Sequence, residues 1–254
     1  LGSDLRTGSE VTAIAPAEGG YTLQLASGNE LTTAAVVLAL PAQLAARLLR
    51  PLLPAAAEPL SSIRSCAVDS LAFAFDRSQV PGDLQGFGVL VARGEGVRTL
   101  GVLWDSEIHE GRAPRDEVLL RAIAGGPADE EFSSLSDDMA RSAVLEDLRK
   151  VMGIEAQPRR WWRFSHPAGL PHYSLGHPER VERAMDAVAG RIVLAGDSYH
   201  GVGLGPCLAD AGRVANEAES LVAGRTGASA ASPSTSSPSV VARSSSSWYE
   251  PPTW

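Results

Sequence analysis

The sequence predicts an α/β to α+β fold, and three observations carry that prediction. Short β-favouring runs bounded by Gly, Pro or charged turns recur through the first half of the chain. An amphipathic helix pattern, with apolar residues at three-to-four spacing, covers Ser136 to Met152. Near the end, a buried-strand pattern at Arg191 to Ala195 passes through a glycine-rich stretch into a long helical pattern at Leu204 to Val222. At roughly 150 residues per domain, the 254 residues allow one or two domains.

In chain order, Val11 to Ile14, Tyr21 to Leu25 and Ala34 to Leu40 read as three strands of a small antiparallel unit, separated by Gly19-Gly20 and Ser27-Gly28-Asn29. Pro41 stops the third strand. Ala42 to Leu49 is then Ala- and Leu-rich and reads as a short helix, closed by Pro51 and Pro54. A new domain is expected near residue 42. Strand-like runs at Ala67 to Phe75, Gly88 to Ala92, Thr99 to Trp104 and Val118 to Ala124 predict a second sheet. In the helix that follows, Met139, Val144, Leu145, Leu148 and Met152 form one face, with Asp137 and Asp138 in the first turn and Arg149 and Lys150 in the last. Pro158 to Phe164 reads as a strand, the Pro- and Gly-dense stretch after it as a shaped loop, and Glu179 to Val188 as a helix. The last helix is expected to bury Leu208, Ala211, Ala215, Ala218 and either Leu221 or Val222. Residues 225–254 are Ser/Pro/Ala-rich without apolar periodicity and read as disordered.

Composition narrows the function. A net charge of −8 offers no basic footprint for nucleic acid. Two cysteines, Cys66 and Cys207, are too few for a disulfide framework or a CxxC-type zinc site, so a reducing compartment is expected. His166, His172 and His177 lack a carboxylate or Cys set at ligand spacing, so no metal site is expected. The longest strongly apolar run, Ala34 to Leu40, is far short of the roughly 20 residues a membrane-spanning helix needs. The chain begins with Leu and reads as lacking an upstream part.

The chemistry-bearing segment is Gly196-Asp-Ser-Tyr-His-Gly201-Val-Gly203-Leu-Gly205, between the strand and the helix. Its glycines let backbone approach a ligand, and a helix N-terminus offers free N–H groups to an electron-rich group. It is not a dinucleotide fingerprint, because the spacing is GxGxG and no second βα unit follows. A plain Gly-rich strand-to-helix connection is an equal reading on pattern alone.

The run from Leu194 to Arg213, LAGDSYHGVGLGPCLADAGR, resembles the closing flavin motif of the protoporphyrinogen oxidases, in the flavin amine oxidase superfamily. Leu170 to His177, LPHYSLGH, resembles that family's IPQYTLGH block, and the segments starting at Gln85 and Leu100 are similar to its GFGxLVP and LGxxxDS segments. The strand run from Gly8 to Pro41 matches the superfamily's, giving a likeness over roughly residues 8–224.

That resemblance implies a partial FAD-binding, Rossmann-like domain, with an inserted mixed-sheet substrate domain. Residues 1–41 would supply adenine-side strands, 42–175 the substrate domain and 176–224 the flavin-closing part; the GxGxxG half would be missing. By the same resemblance Val11 meets the adenine, Gly196 and Asp197 lie near the ribityl and pyrophosphate, and Val202, Gly203 and Leu204 face the flavin pyrimidine edge. Ser165 or His166 lies beside the isoalloxazine, although relatives carry Trp-Pro where this chain has His166-Pro167. Gly88, Leu90 and Ile123 align with the porphyrinogen cavity, and ordinary core-strand roles are an alternative for Leu90 and Ile123. No catalytic acid or base is assigned. Cys207 stands at the family's Asp-Cys-Ile cysteine, but the Asp is Pro206 here, so it reads as a small buried residue.

The implied activity is oxidation of protoporphyrinogen IX to protoporphyrin IX in haem biosynthesis, with FAD as cofactor and dioxygen as acceptor. Coproporphyrinogen III is the near alternative substrate, and another superfamily oxidase or an inactive remnant are the further ones. The cytoplasm is the expected compartment, and a homodimer and peripheral membrane contact are compatible with it.

Overall fold

The computed structural model describes residues 4–223 and 240–241, and the chain divides into two compact units. Unit 1 comprises residues 1–64 and 173–254, and unit 2 is the inserted stretch between them, residues 65–172.

Unit 1 begins with β1 (Leu5–Arg6), β2 (Val11–Ala17), β3 (Gly20–Leu25), β4 (Glu30–Thr33) and β5 (Val36–Ala39). The antiparallel unit is β2-β3-β4. Its third strand is therefore Glu30–Thr33 and not the expected apolar run, which becomes β5 and pairs elsewhere. The reason is amphipathicity: Leu31 meets Leu23 across the edge of the small sheet, whereas Val36 and Leu38 need burial in a larger core. Two helices follow, α1 (Ala42–Leu49) and α2 (Pro54–Ser61). Pro54 opens the second helix instead of closing the first, as proline can in a first turn, where its missing N–H has no partner to lose.

The division into units falls after Arg64, not near residue 42. Ala45, Ala46 and Leu49 of α1 and Ala57 and Leu60 of α2 are buried in the same core as Leu38, so both helices belong to unit 1.

Unit 2 contains β6 (Ser65–Asp76), β7 (Gly88–Leu90), β8 (Thr99–Leu103), α3 (Asp105–Ile108), β9 (Glu117–Gly125), α4 (Asp137–Met152) and β10 (Arg160–Pro171). The five strands form one antiparallel sheet in the order β10-β6-β9-β8-β7. One sheet face packs, through Leu71, Phe73, Leu120 and Val102, on Phe132 and on Ala140, Val144 and Leu148 of α4. Ser136 caps α4 by accepting from the Met139 N–H at 3.4 Å, and Gly153 ends it in the left-handed region. Met139 itself is 59% exposed, and Ala140 takes the core position. β10 runs on through Pro171, into residues expected to be loop, because β6 is long enough to pair it past a bulge at 166–170.

The chain then returns to unit 1 with α5 (His177–Ala187), β11 (Ile192–Ala195), α6 (Leu204–Ala223) and β12 (Val240–Val241). β11 pairs in parallel with β5, Ile192 opposite Val36 through Ala195 opposite Ala39. β12 pairs with β1; the rest of the 225–254 tail, expected to be disordered, lies outside the described residues. In α6 only Val214 is buried, and Leu208, Ala211 and Ala215 of the expected face are exposed. The inward face is instead Cys207, Asp210, Val214, Ala218 and Leu221, a helix rotated by about one position.

A buried ion pair organises unit 2. Asp69 on β6 is fully buried, and the Arg163 side chain on β10 is 7% exposed. Arg163 Nε donates to Asp69 at 2.9 Å, and Nη1 donates to the Leu135 carbonyl at 2.7 Å and to Asp137 at 3.0 Å. Ser133 donates to the other Asp69 oxygen at 3.1 Å. Two strands, the 3-10 turn Glu130–Ser134 and the start of α4 are thus tied to one charge pair. Removing one partner strands the other, at a cost of about 3–5 kcal/mol. Asp69→Ala is expected to lower the unfolding free energy by that amount in urea titrations followed by tryptophan fluorescence; a loss of under about 1 kcal/mol, as for a surface pair, contradicts it.

Candidate functional site

In unit 1, β11 ends at Ala195 and the chain enters a loop of residues 196–203 before α6. Gly201 and Gly203 have φ of 146° and 99°, where side-chain-bearing residues are strained. A Cβ on Gly201 would lie 2.6 Å from Pro206 Cβ, whereas a Cβ on Gly203 would meet nothing within 4 Å. Gly201 is needed for packing, and Gly203 leaves open space at the helix start. Val202 is 41% and Leu204 76% exposed beside it.

Two contacts hold this loop. Ser198, 1% exposed, accepts from the Ala42 N–H at 3.1 Å, joining the loop to the first residue of α1. Tyr173 donates its hydroxyl proton to the Asp197 carbonyl at 2.6 Å and accepts from the Gly201 N–H at 3.0 Å. The Tyr173 ring stacks on His177, centroids 3.8 Å apart and planes 17° off parallel. His177 is 4% exposed, and neither ring nitrogen has a hydrogen-bond partner. Burial pushes its pKa below the ordinary 6.5; the Tyr199 backbone opposes this, and Arg180 and His200 reinforce it. The Tyr199 hydroxyl is likewise buried and unpartnered, and its pKa is raised by burial. Burial also raises the Asp197 carboxyl, against its own N–H and the Ser198 hydroxyl.

In unit 2, strand pleating separates the two faces of the sheet. Val89, Val102, Ala122 and Leu71 face the α4 core. Opposite them, register sets two rows on the other face: Gly88, Leu103, Arg121, Ala72 and Trp162; and Leu90, Gly101, Ile123, Ser70 and Phe164. Gly88, Leu90 and Ile123 therefore share one face. Gly88 also has a structural reason, since a Cβ there would lie 2.0 Å from the Val102 carbonyl oxygen. Ser165 and His166 are successive β10 residues, so they point to opposite faces: Ser165 pairs with Asp69 on the core side, and His166 lies on the face of Ile123.

The structure thus joins Gly196, Asp197, Val202 and Gly203 in one loop, with Leu204 next as the first residue of α6 and Val11 of the same unit in the β2-β3-β4 sheet. Sequence reasoning missed Tyr173, His177 and Ser198. Tyr173 and His177 lie in the LPHYSLGH block already singled out, and its resemblance to the family block was the signal that could have found them.

Comparison with known proteins decides the family. The profile described as flavin containing amine oxidoreductase matches residues 1–218. The chain belongs to that family. Coproporphyrinogen III oxidase of Bacillus subtilis (strain 168) is 30% identical over 211 residues, 82% of this chain and 44% of the relative. The chloroplastic protoporphyrinogen oxidase of Nicotiana tabacum is 31% identical over 238 residues, 85% of this chain and 42% of the relative. A crystal structure from Exiguobacterium sp. 255-15, provisionally named as a protoporphyrinogen oxidase, superposes with a TM-score of 0.68 at 26% identity, over 87% of this chain and 47% of that one. The chain of this flavin-family member spans under half the length of these relatives. Among the described residues no helix is long and apolar enough to cross a membrane.

Two outcomes are expected in the family member. Tyr173→Phe keeps the ring stack and deletes both hydroxyl bonds, so it should lower the unfolding free energy by about 1–2 kcal/mol, read by denaturant titration. His177 is held neutral below its ordinary pKa of 6.5, so stability is full above 6.5 and is lost as pH falls through the depressed folded value. His177→Phe should flatten that acid limb in melting curves; an unchanged limb contradicts the assignment.

Proposed function

We propose that this chain is the flavin-closing and substrate-binding portion of an FAD-dependent protoporphyrinogen oxidase. The observation that carries the reading is the pinned glycine loop, opening at Gly203 onto the uncovered start of α6.

The residues fit a flavin. Open space over Gly203 lets a flat ring reach main-chain N–H groups, and the first turn of α6 presents donors and a partial positive charge to an electron-rich edge. Such a fixed dipole favours negative charge there without reorganising. Val202 and Leu204 flank the approach with exposed apolar surface that a bound ring would cover. When bound, FAD supplies the two-electron acceptor, and the protein supplies orientation and electrostatics. By the resemblance, Gly196 and Asp197 are assigned to the ribityl and pyrophosphate, Val11 to the adenine, and Ser165 or His166 to the isoalloxazine.

The open sheet face of unit 2 suits the substrate. Gly88, Gly101, Ser70 and Ala72 keep its rows low, and Leu90, Ile123 and Phe164 make it apolar, which matches a flat macrocycle. Dioxygen is the proposed acceptor, and peripheral membrane contact and a homodimer belong to the same proposal. Coproporphyrinogen III is a second reading, kept because of the 30% identity to the coproporphyrinogen III oxidase of Bacillus subtilis.

The full gene product is expected to purify with oxidised-flavin absorbance and to convert protoporphyrinogen to fluorescent porphyrin. Gly203→Val, strained at φ 99° and filling the open space, should reduce FAD affinity by at least about tenfold. No flavin uptake from excess FAD and no porphyrin formation would contradict the proposal, and faster turnover of coproporphyrinogen would select the second reading.

A further inference from the structure

Arg121 lies on the open face of the unit 2 sheet, in the row that begins at Gly88, and has been given no role so far. It stands in the central strand β9, two residues from Ile123 and so on the same face. Register sets it between Leu103 and Ala72. Its side chain is 40% exposed, and Nη2 donates to Asp105 Oδ1 at 2.9 Å, the Asp105 side chain being 14% exposed. Nε is buried and makes no hydrogen bond.

A guanidinium has five N–H donors and matches a carboxylate best through two parallel bonds. Asp105 engages Arg121 through one nitrogen only, so the fork is half used. The surrounding face is apolar and flat, which strengthens any charge pair formed on it. The Arg121 cation, already neutralised by an internal carboxylate, can exchange this partner for an incoming one.

We infer that Arg121 is the carboxylate-recognising residue of this face. It holds an acidic side arm of a flat apolar macrocycle lying across the Gly88 and Leu90 rows, with Asp105 as the counter-ion that it leaves. The inference rests on the porphyrinogen reading and adds to it the part of the ligand that this chain selects.

Fluorescence-quenching titrations of the full chain with protoporphyrin IX, a dicarboxylic acid, and with its dimethyl ester test it. The acid is expected to bind more tightly than the ester. Arg121→Met should weaken the acid by about tenfold or more and leave the ester unchanged. Asp105→Asn, which removes the competing carboxylate, should tighten the acid. If Arg121→Met fails to fold, as judged by circular dichroism, Arg121→Lys should keep a reduced preference for the acid. Equal loss for acid and ester, no loss for either, or parallel weakening of the acid by Arg121→Met and Asp105→Asn reduces the pair to a structural salt bridge and overturns the inference. A wild-type chain that binds neither probe overturns the porphyrinogen reading itself, whereas one that binds both alike overturns only the role of Arg121.

Discussion

A parallel ladder of four residues on each side, β5 against β11, joins two parts of the chain that lie on either side of the whole of unit 2. Parallel strands cannot be joined by a tight turn, and here the crossover contains α1, α2, the inserted unit and α5. Because Leu38 and Leu194 are buried from both strands in one core with α1, α2 and α5, a slip of this ladder would expose the apolar face it buries. The glycine loop of the candidate flavin site hangs from its C-terminal ends. β5 leads through Pro41 to the N-terminus of α1, β11 leads into the glycine loop, and the Ala42 N–H to Ser198 bond ties the two exits together.

From that fixed point the loop is finished by a side chain from outside the ladder. Tyr173 bonds a carbonyl and an N–H four residues apart, so one hydroxyl sets the curvature of residues 197–201. His177 beneath it is buried, and that burial favours the neutral ring. Burial of an uncharged imidazole and the pinning of the loop are therefore one arrangement. Unit 2 has its own equivalent in Asp69 and Arg163, which fix one sheet face against α4 and leave the other open.

Elements whose local pattern and burial agree were legible in the sequence. α1 and α4 begin and end at their capping and proline signals, β8 lies within its expected run, and β6 and β9 extend theirs by one or two residues at each end. The errors fall where a partner distant in sequence decides. Val36 to Ala39 looks like the third strand of a meander until β11 is known, and β10 continues past the Pro-rich signal because β6 gives it hydrogen bonds. The face of α6 was misread because Leu208, Ala211 and Ala215 score as apolar, while the packing turns Asp210 and Val214 inward. Of the site, the glycine loop was visible as a motif and the shared face of Gly88, Leu90 and Ile123 as aligned positions. Tyr173 and His177 act through hydroxyl geometry and stacking, which leave no trace in spacing.

The central claim is that the loop after β11 and the start of α6 receive FAD. Amide hydrogen exchange of the full gene product, with and without added FAD, tests this most directly. The account predicts slowed exchange at residues 203–205 when FAD is present, where Gly203 and the first turn of α6 offer their N–H groups. FAD binding that leaves exchange of that segment unchanged would contradict it.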